Sequence, residues 1–463
     1  MSGLTSLAKD VNITSYGAVD DGKTVNSVAI QKAIDECSST GGGKVKVPAG
    51  KWLCGTILLK NNVVLSMEEN AVLLGSTNIA DYSIVDGFTD GTGQIMGYCF
   101  VGAVDANNTG IEGKGIIDGQ GKQVLAANGK SKRPFLIRFV RCNNISITGL
   151  NLRASCAWTM HIFRCKNVKV QGVTIFSRGL ANNDGIDIDC CEGVSIKSCN
   201  ITSDDDAICF KTTSPYPCKN IEVSDIKIRT RCAAVKFGTE SIGDFLDIKV
   251  KDVYVSYAGL GIVKILSVDG AQIRNIDIRN INADTANVPL MIRLGARLKT
   301  FRKGDVKKPV GSISNVSIKN VNVKNATSVT GMLFTGVPSH LIQNISLENI
   351  AINSAGGGTV EDSKVILAEN EAAYPEVRMF GKSIPSYGLY LRHAQKVSFK
   401  NVSFTANKAD ARYAIVADDV NGLEIRGWKL PAGWPKATVG SFTNVKDVDI
   451  SNSSFDKNAV VSR

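Results

Sequence analysis

The sequence predicts an all-β chain wound as a single-stranded, right-handed parallel β-helix, with a short capping helix at its N-terminal end. Three observations predict it. The pattern apolar-x-apolar-x-x-apolar-x-apolar recurs from Ile145, Val168, Val194, Ile221, Ile248, Ile276, Val316, Ile345, Val397, Leu423 and, less perfectly, Val448. From Ile145 to Ile276 it returns every 23 to 28 residues, a solenoid period. Each copy is two short segments of period-two alternation about a two-residue bend, which marks strands with one buried face. Such a unit cannot bury its apolar face alone, so copies must stack. Leucine-rich repeats share the period but carry a different signature and a helical half, and propeller blades are longer. A length of 463 residues would ordinarily mean two or three domains. A solenoid lengthens one instead, so residues 1–463 are expected to form a single domain.

Taken in order, residues 13–42 should supply an N-terminal strand and the cap. Ser27 to Ser38 has helical spacing at Ile30, Ala33, Ile34 and Cys37 and is followed by Gly41-Gly42-Gly43, a helix suited to plugging the open apolar column. Residues 43–455 should be coils. Two oversized steps, Ile276 to Val316 and Ile345 to Val397, predict insertions near 284–313 and 354–394. The first region holds Arg293, Arg297, Lys299, Arg302, Lys303, Lys307 and Lys308, either a solvated basic loop or a clamp for an acidic ligand. The second holds Tyr374, Tyr387, Tyr390 and Arg392, where aromatics beside arginine suit an acidic sugar but also suit packing onto the coils.

With 43% hydrophobic and 21% charged residues the chain is not disordered, and no apolar run is long enough for a transmembrane helix. The opening MSGLTSLAKD lacks the basic and apolar regions of a signal peptide. A net charge of +11 suits a polyanionic partner; nucleic acid is disfavoured because the basic residues are not interleaved with aromatics in a recognisable module. The 12 cysteines show no C-x-x-C pair and read as buried free thiols. Triplets such as Asn144-Ile-Ser and Asn200-Ile-Thr fall inside the repeat, where asparagine bonds along a stack.

Two carboxylate clusters interrupt the rungs. Asn182-Asn183-Asp184-Gly185-Ile186-Asp187-Ile188-Asp189 opens one coil, and Asp204-Asp205-Asp206 follows about one turn later. Asp184 and Asp205 should then stand nearly above one another, near the ~4.8 Å strand spacing. Mutual repulsion would keep one protonated, giving the acid and base that glycoside hydrolysis requires. Bonds to turn backbone or a calcium site would use the same residues. Asp187 and Asp189 alternate with Ile186 and Ile188 and are expected on the solvent face.

Several runs carry a specific resemblance: Ser15–Thr24, Gly41–Gly50, Leu53–Lys60, Arg133–Phe139 and Ala157–His161. With Asn182-Asn183-Asp184-Gly185 and the paired Asp205-Asp206 at matching spacing, the chain resembles glycoside hydrolase family 28, the polygalacturonases and rhamnogalacturonan hydrolases, from about residue 13 to 455. The resemblance implies a pectin lyase-like solenoid in which Asp205 is the general acid, Asp184 and Asp206 activate water, and the anomeric carbon inverts. It implies no metal and no organic cofactor, a pectic polysaccharide or oligosaccharide as the partner, and, from that substrate, a secreted or periplasmic monomer.

Departures from the family pattern bear on substrate. The Gly-His-Gly position reads Arg231 to Glu240 without histidine, and the Arg-x-Lys position reads Gly261-Ile262-Val263-Lys264-Ile265. Lys211, Lys236 and Lys264 could form another cationic ladder, or a solvent-facing column of lysines. His161 and Glu240 are further candidate substrate contacts, with Arg293 and Arg392. The expectation is an inverting hydrolase of an acidic polysaccharide, rhamnogalacturonan-type before homogalacturonan. A calcium-dependent lyase on the same fold and a non-catalytic glycan-binding β-helix are the alternatives.

Overall fold

The computed structural model describes residues 9–89, 93, 95–130, 132–327, 330–431 and 439–462. The opening residues 1–8, read above for an export signal, lie outside them. No helix among the described residues is long and apolar enough to cross a membrane. Two compact units are present, Met1–Cys209 with Asn220–Ile226, and Phe210–Lys219 with Lys227–Arg463.

In the first unit the strands stack in three parallel columns. One runs Gly43–Val47, Val63–Met67, Asn107–Gly113, Asn143–Thr148, Lys166–Gln171 and into Glu192–Ser203. A second runs Gly50–Cys54, Ala71–Gly75, Ile116–Asp118, Asn151–Arg153, Thr174–Ser177 and rejoins Glu192–Ser203. The third runs Ile57–Leu59, Ile95–Val104, Phe135–Val140, Met160–Phe163 and Ile186–Asp189. The sequence repeat covers the first two columns. The third carries no alternation, because its strands are buried throughout from Phe135 onward.

In the second unit long strands such as Phe245–Ala258, Gln272–Ala286, Ser312–Ala326 and Ile342–Ser354 stack in parallel. Shorter ones, Ala233–Ser241, Gly261–Ser267, Leu290–Leu294 and Met332–Thr335, form a neighbouring column. The parallel β-helix is therefore present in each unit.

The repeat is in register. Ile145 pairs with Val168 and Val168 with Val194. Within the second unit a row of its own runs through Ile248, Ile276, Val316, Ile345, Val397, Leu423 and Val448. All of these but Val448 are buried. The bends take left-handed backbone, with φ of 59°, 56°, 57° and 54° at Asn280, Asn320, Asn349 and Asn401, a conformation asparagine tolerates. Their amides form a ladder of 2.8–3.1 Å bonds that starts at Asp252. Asn144 joins a similar ladder through Asn108 to Asn62, as its place in the repeat suggested.

The cap is a helix over Ser27–Ser39, with Ile30, Ala33, Ile34 and Cys37 buried. Its Gln31 side chain donates to Leu58 O at 3.0 Å and accepts from Leu58 N at 2.8 Å. That closes backbone groups which an open strand edge would leave bare. The two insertions are narrower than expected. Strand persists to Ala286 and resumes at Leu290–Leu294, so the first connection is 295–311 and Arg293 lies on a strand. The second is 355–385, because Ser386–Ala406 is one continuous strand.

All twelve cysteines are free, eleven of them buried and Cys232 partly so. Burial pushes the Cys99 thiol up to about 12, and those of Cys156 and Cys199 up to about 11, so these side chains behave as small hydrophobes.

Candidate active site

The third column of the first unit carries a polar row. Arg138 pairs in register with His161, and His161 with Asp187. Their outward face is covered by a hairpin in which Ser83–Thr89 runs antiparallel to Ile95–Val104. Arg138 donates to Val85 O at 3.0 Å and Asp86 O at 2.8 Å, and its guanidinium lies over the Phe88 and Phe135 rings. It also bonds His161 Nδ1, while His161 Nε2 meets Asp189 Oδ2 at 3.1 Å. Burial pulls the Arg138 guanidinium down to about 10.

Asp187 and Asp189, expected on the solvent face, are fully buried. Alternation located them correctly on the side away from Ile186 and Ile188, but that side is roofed by protein. His161 is equally buried, ringed by Phe88, Phe135, Trp158 and Phe163.

Asp184 sits just before Ile186–Asp189, where backbone bonds lock it between two coils. Thr159 N donates to Asp184 O at 2.8 Å on one side; on the other, Gly185 N donates to Asp206 O at 2.8 Å and Ile186 N to Ala207 O at 2.9 Å. Gly185 is needed for this approach, since a Cβ there would stand 2.4 Å from Ala207 O. The consequence is that carboxylate oxygens of Asp184 and Asp206 and the Cys209 sulfur lie within 4.8 Å of one another.

Asp206 also brings an oxygen within 4.8 Å of one from Asp205. Asp184 and Asp206 are buried to 3% and 2% exposure, whereas Asp205 is half-buried. Asp205 is aimed by backbone: its Oδ2 accepts from Asn182 N at 3.1 Å and its Oδ1 from Asp206 N at 2.9 Å. Asn182 is fixed in turn by Arg133, which donates to Asn182 Oδ1 at 3.0 Å and Ala181 O at 2.7 Å. Asn183 Oδ1 accepts from Asp204 N at 3.1 Å. The three predicted aspartates are thus brought together, and each asparagine of the motif serves the neighbouring coil. Carboxylates this close repel one another when both are ionised. The set could also surround a cation, although a thiol beside two carboxylates suits calcium poorly.

The remaining predicted contacts lie in the second unit. Lys211, Lys236 and Lys264 are buried, so they are not a solvent-facing column. Lys236 pairs in register with Lys264. Lys264 Nζ reaches both oxygens of Glu376 at 2.6 Å, and Lys211 Nζ stands 3.5 Å from Glu240. Arg293 donates to Thr335, Gly336 O, Glu369 O and Asn370 O. Arg392 donates to Leu367 O and Ala368 O and pairs with Glu369 at 3.1 Å. Both arginines therefore hold the connection 355–385. Leu367, Phe380 and Ile384 of that connection join an apolar cluster with Leu266, Met291 and Leu333, so it packs onto the coils.

Sequence reasoning missed Arg138 and Glu376. Arg138 is a charge inside an otherwise apolar run, Phe135–Val140, which was the available signal. Glu376 had none, because its partner lies over a hundred residues away.

A model described as glycosyl hydrolases family 28 matches residues 37–373. The chain is 29% identical over 309 residues to a probable polygalacturonase of Vitis vinifera, covering 61% of this chain and 62% of that protein. It is 37% identical over 152 residues to the exo-poly-alpha-D-galacturonosidase of Dickeya chrysanthemi, covering 31% of this chain and 25% of that one. The chain thus spans less than two thirds of either relative. Its fold is similar to that of a Yersinia enterocolitica family 28 exopolygalacturonase, with a TM-score of 0.70, 17% identity, and coverage of 96% of this chain and 79% of the other.

Proposed function

The chain belongs to glycosyl hydrolases family 28, and on that premise we propose that it is an inverting glycoside hydrolase acting on a pectic or other acidic polysaccharide. The observation that carries this reading is the meeting of Asp184, Asp205 and Asp206 across two adjacent coils. Asp205, the most accessible of the three, is the general acid that protonates the leaving glycosidic oxygen. Asp184 and Asp206, held face to face, orient the attacking water and take its proton. Acid and base on opposite faces of the sugar need about 6.5–9.5 Å between them to admit that water; an oxygen of Asp206 lies within 4.8 Å of one from Asp205, so in this reading Asp184 is the base and Asp206 orients the water beside it.

Rhamnogalacturonan-type chains are the preferred substrate in this reading. Residues 231–240 lack the family histidine, and Lys264, in the Arg-x-Lys position, is engaged by Glu376. Both departures weaken the grip on a plain run of uronates. Lys211 with Glu240, and Lys236, are the groups assigned to the substrate's carboxylate and hydroxyls. Such substrates place the enzyme outside the cytoplasm, secreted or periplasmic, acting as a monomer.

The test is product analysis on defined pectic oligosaccharides. Hydrolysis yields reducing ends of inverted anomeric configuration and proceeds with chelator present. An unsaturated, ultraviolet-absorbing product lost on chelation would replace this reading with the lyase, and binding without turnover would replace it with a glycan-binding protein.

A further inference from the structure

We infer that the connection at Arg297–Lys308 in the second unit is a docking site for an extended acidic polysaccharide chain. The inference rests on the reading above only for the class of polyanion, an acidic pectic chain; the loop answers to the chain's carboxylates, whatever bond is cleaved, and needs none of the three aspartates.

The segment holds six basic residues and one acid. Its ends are pinned. Arg297 pairs with Asp269, donating from Nε at 2.9 Å, and Lys299 N donates to Asp269 Oδ1 at 3.0 Å. Lys308 Nζ donates to Ile242 O at 2.6 Å. Between these pins every residue from Phe301 to Lys308 is exposed. The one acid, Asp305, is used locally: its Oδ2 accepts from Arg302 N at 2.9 Å, closing a turn.

Arg302, Lys303 and Lys307 have no carboxylate within ion-pair distance among the described residues. Some lysines on the coils differ: Lys44, Lys60, Lys319 and Lys324 each lie within 3.2 Å of an acid. Those four lysines are neutralised by neighbouring acids, whereas Arg302, Lys303 and Lys307 stand close together in one loop without such a partner. Phe301, 41% exposed, carries the Arg302 guanidinium 5.3 Å from its ring centre. An exposed ring beside unneutralised cations offers both a stacking face for a sugar and charge for its carboxylates. A polyuronate supplies these two features along an extended chain.

The test compares the full chain with an R302Q/K303Q/K307Q variant and with Phe301→Ala. Binding to immobilised polygalacturonate is measured on ice at low and raised salt, beside fully methyl-esterified polygalacturonate. Thermal melting of each variant reports folding. The triple variant should bind polygalacturonate about tenfold more weakly at low salt, with a flatter salt dependence. Phe301→Ala should weaken binding several-fold with the salt slope unchanged, and the esterified chain should bind poorly throughout. Equal binding by the triple variant overturns the inference, as does equal binding of the esterified chain. Displacement by duplex DNA at matched charge would make the loop a general polyanion patch and overturn it too. Hydrolysis by the unmodified protein is scored separately: its absence with loop-dependent binding retained sinks the enzymatic reading alone.

Discussion

Lys264 Nζ stands 2.6 Å from both carboxylate oxygens of Glu376, joining a strand of the second unit to the connection 355–385 inside a buried setting. Removing one partner strands the other in low dielectric. Glu376→Ala should therefore cost about 3–5 kcal/mol, while replacing both partners by apolar residues should restore most of it. Denaturant midpoints of the single and double variants check this.

Asp205→Asn keeps the shape but has no proton to give. Turnover should fall about 10²–10⁴-fold with the melting temperature within a few degrees of the parent. Reducing-end release measures it, and a variant as fast as the parent removes Asp205 from the role of acid.

Gly185→Ala places a methyl group 2.4 Å from Ala207 O. The coils bearing Asp184 and Asp206 must separate, at about 1–3 kcal/mol. Activity should drop further than stability explains, because the carboxylates move with the backbone. Paired melting and rate measurements distinguish the two losses.

His161 bridges Arg138 and Asp189 among aromatic rings. His161→Leu should lower stability by about 1–3 kcal/mol by leaving buried polar partners unmet, with KM little changed. A several-fold rise in KM at unchanged stability would instead make His161 the sugar contact that its sequence context suggested.

Asp410 and Arg412 form a buried pair, with contacts of 2.9 and 2.7 Å. Burial pushes the Asp410 carboxyl up, but the Arg412 bonds outweigh it and hold the group below its ordinary 3.8. A carboxyl lowered on folding stabilises fully above the unfolded value and loses that contribution as pH falls through the folded one. The parent's advantage over Asp410→Asn should therefore be constant near neutrality and shrink below about pH 4. Urea midpoints at pH 7 and pH 3 test this.

The parts legible in sequence were those with a repeating physical cause. Ile248, Ile276 and Val316 announce themselves because one face of their strands is wet and the other dry. Phe135–Val140 and Ile186–Asp189 do not, because protein covers both faces and alternation loses its meaning as a guide to exposure. That is why alternation alone sends Asp187 and Asp189 to solvent. Asp184, Asp205 and Asp206 were found because one turn of the repeat separates them in sequence. Arg293, in a basic stretch, and Arg392, beside aromatics, both suggest ligand groups, since either context reads the same whether arginine grips a sugar or, as here, the carbonyls of its own chain.

The aligned repeat starts carry a consequence for how such a protein changes length. Because Ile276, Val316 and Ile345 occupy equivalent positions in consecutive turns, excising one whole turn would bring like against like, with each bend asparagine of the ladder meeting another asparagine or, next to Asp252, a carboxylate that accepts the same bond. Cutting half a turn would set bends against strands. Viable length variants of this chain should therefore come in whole-turn increments, much as a spiral stair can lose a complete revolution and still meet its landing.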